Sequence, residues 1–123
     1  MAVFPLKQND TLAILDVELL DPPDENGVQG IHDLTGAIQA WLHIKLADGS
    51  GTVTRAMTSS FDATGIVSYA WAPTDWTGTP RIVVGVHDME YEILGPSGAR
   101  HTFPNASYDK LSVIPDLGQA TSP

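Results

Sequence analysis

The 123-residue chain contains no cysteine. Disulfides and thiol nucleophiles are therefore excluded, and the fold must stand on its apolar core. Positive charge is scarce: six Lys and Arg face fifteen Asp and Glu, a formal net charge of -9. Nucleic-acid binders and proteins held on anionic membranes need clustered basic side chains, so neither partner is expected. Acidity of this kind serves solubility and resistance to self-association. No apolar run approaches the ~18 residues of a membrane span. The segment Met1 to Lys7 lacks the apolar stretch and small-residue cleavage site of a secretory signal. The expected setting is a cytosol, or a particle assembled there.

What the chain has is alternation. From Ala37 to Leu46 the even positions Ile38, Ala40, Leu42, Ile44 and Leu46 are apolar, while the odd positions after Ala37, Gln39, Trp41, His43 and Lys45, are mostly polar or amphipathic. Period two over this length predicts a strand with one buried face, because a helix would scatter the same residues around its circumference. Ala13, Leu15, Val17 and Leu19 alternate opposite Asp16 and Glu18, which predicts a strand within Thr11 to Leu20. Asp21 to Gly27, with two prolines and an Asn-Gly turn, ends it. Asp48 to Gly51 joins the Ala37 to Leu46 strand to Thr52–Thr58 as a hairpin. Asp62 to Gly65 opens a strand over Ile66 to Trp71, with Val67, Tyr69 and Trp71 on one face. Pro73 to Pro80 reads as a corner. Arg81 to Leu94 reads as the longest extended segment, with Ile82, Val84 and Val86 alternating and a bulge or register change at Asp88. His101 to Phe103 and Lys110 to Ile114 supply the last short strands. About seven strands with regular turn signals are the signature of a sandwich or small barrel in one domain.

Chemistry-bearing constellations are sparse. His32, His43, His87 and His101 lack the close spacing of zinc ligands, and His43 and His87 are expected at half-exposed strand positions. Asp21, Asp24 and Glu25 share a loop but match no calcium-loop spacing. Ser59, Ser60 and Ser68 lack a nucleophile-elbow context, and no glycine loop of the phosphate-cradling kind precedes a helix. No catalytic residue, metal ligand or cofactor is expected. Tyr69 and Trp71 read as core. Trp41 divides between core and interface anchor, since Trp dominates binding hot spots. Trp76 divides between a plug over the end of the sandwich and an exposed contact.

Four segments in order resemble a phage family: Lys7-Gln8-Asn9-Asp10-Thr11-Leu12; Leu34-Thr35-Gly36-Ala37; Asp62 to Trp71 with the following Thr74-Asp75; and Thr102-Phe103-Pro104-Asn105 with Tyr108. Together they are similar to the immunoglobulin-like domain at the amino terminus of upper baseplate proteins of tailed bacteriophages, which also occurs as small phage structural proteins. In that resemblance Lys7 to Leu12 would be the opening strand. Gly36 and Gly65 would serve turn geometry, Tyr69 and Trp71 the core, and Pro104 a fixed bend. The loop Asp21 to His32 is longer than the family's, and Trp76 to Pro80 replaces its usual Gly-x-Tyr.

The resemblance implies an immunoglobulin-like antiparallel β-sandwich with flexible ends near 1–6 and 118–123. Its implied role is non-enzymatic: a virion structural module on the tail, baseplate, neck or capsid exterior. The implied partners are other virion structural proteins, in multiple copies within a symmetric assembly. The interface residues expected are Phe4, Leu6, Pro22, Pro23, Trp41 and Trp76, with the edge strand Thr52–Thr58 able to extend a partner's sheet. The alternative is a carbohydrate-binding domain with a platform of Trp41, Trp76 and His43. A small metal-dependent hydrolase is a third, more remote reading.

Overall fold

In the computed structural model, which describes residues 2–104 and 108–115, apolar alternation decides most of the strands. Their order is β1 (Val3–Lys7), β2 (Ile14–Glu18), β3 (Gln39–Lys45), β4 (Thr52–Met57), β5 (Ile66–Ala70), the short helix α1 (Thr74–Thr77), β6 (Gly85–Leu94), β7 (Arg100–Phe103) and β8 (Asp109–Ile114). The large sheet runs β1-β8-β6-β3-β4, with β7 pairing β6 beyond β8, and β2 and β5 form a second sheet. Leu6, Leu42, Ile44, Met89, Tyr91 and Leu111 of the large sheet meet Leu15, Val17, Val67 and Trp71 in one buried cluster. The fold is the all-β sandwich that the alternation predicts. Among the described residues it has eight strands, and one pair, β1 with β8, is parallel.

Turn chemistry accounts for part of the acidity. Asp33, Asp48 and Asp62 each accept a hydrogen bond from the amide two residues on, at Thr35, Ser50 and Thr64. Such side-chain caps hold a turn without help from the rest of the fold. The Asp62 turn ends at Gly65 (φ 66°), where an added Cβ would stand 2.6 Å from the His32 carbonyl oxygen. Glycine is required there by backbone conformation and by the close approach of the neighbouring chain.

Four expectations change. Residues near the amino terminus are not a loose end: Val3–Lys7 pairs in register with Lys110 to Ile114, and Leu6 is buried. The expected flexible end at 118–123 lies outside the described residues. Of Lys7 to Leu12, expected as the opening strand, only Lys7 belongs to β1, and Gln8 to Leu12 lie in the connection between β1 and β2. The change of face in the Arg81 to Leu94 segment falls at Gly85 (φ 144°), not at Asp88. Ile82 points inward while Val84 and Val86 are exposed, and β6 pairs β8 from Gly85 to Met89 and β3 from Asp88 to Leu94, so that Asp88 is paired on both sides. Finally, His87 is buried. Its Nδ1 accepts from the Ala47 amide at 3.0 Å, and its Nε2 donates to the Val83 carbonyl at 2.7 Å. With both ring nitrogens bonded to backbone, a buried imidazole loses little on leaving water.

Candidate functional site

The two sheets differ in width, and this leaves one long side of the sandwich open. On that side β1 is the last strand of the large sheet and β2 the last of the small one. A cleft of about 430 Å³ lies in the seam, with Phe4, Val17, Leu19, Pro22, Pro23 and Phe103 among its walls. A second hollow of about 230 Å³ continues it between Phe4, Leu6, Leu15 and Leu111. At the head of β2 the apolar side chains of Leu12 and Ile14 are 93% and 61% exposed. Together with the two hollows they make this margin of an acidic protein apolar.

The polar groups at the floor of the cleft are committed to the fold. Asp109, at its floor, accepts from the Ala2 amide at 3.0 Å and from the Tyr91 hydroxyl at 3.0 Å. Burial, reinforced by the Asp109 charge, raises the Tyr91 hydroxyl far above the ordinary phenol range. The proline-rich loop is pinned along one wall: the Asp21 amide donates to Gly30 and the His32 amide to Leu19. Asp21 Oδ1 meets His32 Nδ1 at 2.7 Å, while the Asp24 carboxylate accepts from the amides of Asn26 and Val28. These acids are thus spoken for within the loop. Among the described residues no three His, Asp or Glu side chains group as a metal site.

The six expected interface residues separate. Phe4, Pro22 and Pro23 come together in the larger cleft. Leu6 is buried in the core and lines the smaller hollow. Trp41 lies half-buried on the outer face of the large sheet, with the Arg100 guanidinium 4.9 Å from its ring centroid. Trp76 is only 7% exposed, and its Nε1 donates to the Asp10 carbonyl. It is the plug of the corner, not a contact. The sugar platform of Trp41, Trp76 and His43 is therefore not assembled, because Trp76 is interior and Arg100 stacks on Trp41. On the outer face His43 Nε2 lies 3.0 Å from Glu92 Oε1, and Arg100 bonds the other carboxylate oxygen at 3.2 Å. The His43 hydrogen bond, aided by Arg100, lowers the Glu92 carboxyl below its usual range.

One network escaped sequence reasoning. Asp75 is fully buried on α1 and accepts from Arg55 Nε at 2.7 Å, from the Tyr69 hydroxyl at 2.7 Å and from the Ala72 amide at 2.9 Å. It ties the corner to β4 and β5. A Tyr six positions before an Asp gave a faint signal, but the contributing Arg comes from a different strand.

No protein-family model matches the chain, and no curated protein matches it. Among solved structures the chain is similar to the crystal structure of CopC from Methylosinus trichosporium OB3b, with a TM-score of 0.47 and 11% sequence identity over 94% of this chain and 86% of that one.

Proposed function

We propose that the protein is a non-enzymatic docking module of a tailed-bacteriophage particle, carried in multiple copies on the tail, baseplate, neck or capsid exterior. The observation that carries the docking reading is the open seam, where Phe4, Pro22 and Pro23 line one apolar cleft next to exposed Leu12 and Ile14. The phage context rests on the ordered resemblance of the Leu34-Thr35-Gly36-Ala37, Asp62 to Trp71 and Thr102 to Tyr108 segments. Within those segments Gly65 sits where no side chain fits, and Trp71 packs edge-on to Tyr69 at 5.2 Å between ring centroids.

Quantitative mass spectrometry of gradient-purified particles tests the reading. The expected result is the protein at a fixed ratio to the major structural proteins. The double variant Ile14→Asp with Pro23→Asp, both at exposed positions, is expected to fold and to be lost from particles. Absence of the wild-type protein from purified particles overturns the proposal.

A further inference from the structure

Three of the strand edges that are open among the described residues, those of β1, β4 and β2, are not equivalent. The free edge of β1 carries Pro5, which has no N–H to offer an incoming strand and is a usual guard of such edges. On β4 the Leu46 amide bonds to the Gly51 carbonyl, so alternation of the antiparallel ladder turns the backbone of Thr52, Thr54 and Ala56 outward. There the Thr54 carbonyl is already taken by Arg55 Nη1. The β2 edge has neither protection.

The direction of the β2 backbone follows from its partners. The Leu19 amide bonds to the Gly65 carbonyl, and Ser68 exchanges both of its backbone bonds with Thr58 on the far side of β5. Since Asp16 stands opposite Ser68, its N–H and C=O point away from β5, as do those of Ile14 and Glu18. These groups border the seam. A strand laid along them would direct alternate side chains into the hollows beside Phe4, Leu15 and Val17. Its other side chains would lie beside exposed Ile14, Asp16 and Glu18.

Resting on the docking reading above, we infer that β2 is the site of strand addition by a partner segment whose inward positions are apolar and whose outward positions carry Lys or Arg. Charge complementarity selects this occupant. Asp16 and Glu18 flank the edge in a chain of net charge -9, and opposite charges across neighbouring strands stabilise the pairing. A second copy of this chain is disfavoured, because an antiparallel β2–β2 pair would set these acids against their own kind. The small sheet of two strands becomes three, and the seam closes.

The test uses the purified full chain and a capped peptide of about eight residues alternating valine and lysine, a length that spans one strand. Amide hydrogen exchange read by NMR is expected to show Ile14, Asp16 and Glu18 fast in the free protein and protected with peptide. Asp16→Pro removes an outward N–H and spares the ladder to β5. It is expected to weaken the peptide about tenfold, the effect of one or two lost main-chain hydrogen bonds. Should that variant fail to fold, Asp16→Lys with Glu18→Lys keeps the backbone edge and is expected to reverse the preference toward a valine–glutamate peptide. Protection of these amides without peptide, protection at β4 instead, or equal affinity for both peptides overturns the inference. If Asp16→Pro loses the peptide yet enters particles normally, strand addition falls while docking stands. If wild type binds the peptide at β2 but is absent from particles, the edge activity stands and the docking reading falls.

Discussion

Asp75 illustrates what single residues do here. A carboxylate removed from water is tolerable only when its lone pairs are met, and here a guanidinium, a phenol and an amide meet them. The Tyr69 hydroxyl feels the same environment from the other side. Burial, and then the Asp75 hydrogen bond and charge, push it from 10.0 up to about 12. A phenol whose folded value is raised contributes stability below its unfolded value and loses it as pH rises. Tyr69 is therefore expected to stabilise the fold fully below pH 10.0 and progressively less up to about pH 12. Urea midpoints measured across that window should fall more steeply for wild type than for Tyr69→Phe. Parallel curves for the two proteins would contradict the assigned network. Tyr69 and Trp71 were legible as one strand face from their spacing. Asp75 was not, because burial of an acid depends on donors that the fold brings from elsewhere.

At the scale of elements, β1 shows how far pattern carries. Val3 to Lys7 is too short and too mixed to announce a strand, with a proline at its centre. Its structure comes from β8, which offers a complete ladder from Lys110 to Ile114, and Pro5 is tolerated because it lies on an edge. Leu6 is only 6% exposed and belongs to the core. Leu6→Ala is expected to cost about 3 kcal/mol, as for other buried leucines, visible as a lower urea midpoint. A change of a few tenths would mean that the segment is a loose arm. The β6 segment gives the complementary case. Its apolar residues on both parities were visible, but the point where the inward face changes was set by Gly85 at φ 144°, a conformation that composition alone does not locate.

For the whole molecule, charge and shape act together. With net charge -9, approach to a basic partner surface is favoured over long range and weakened by salt, since the screening length shrinks from about 10 Å at 0.1 M to about 3 Å at 1 M. Under the proposed docking role, sedimentation with particles stripped of the protein is expected to show binding that declines steadily as sodium chloride is raised across that range. Retention that is insensitive to salt would assign docking to the apolar cleft alone. The candidate site was half legible at this scale. Phe4, Pro22 and Pro23 were singled out in the sequence and share one cleft, whereas Leu6 and Trp76 lie inside. An aromatic or aliphatic side chain has the same composition whether it seals a core or waits for a partner. The all-β class, the β3–β4 hairpin and the turns at Asp48 and Asp62 follow from alternation and local capping, interactions between residues close in the chain. The parallel β1–β8 pair, the buried Asp75 network and the unguarded β2 edge were decided only by tertiary structure. Alternation determines which face of a strand is apolar, but the neighbour each edge receives depends on long-range packing of the two sheets.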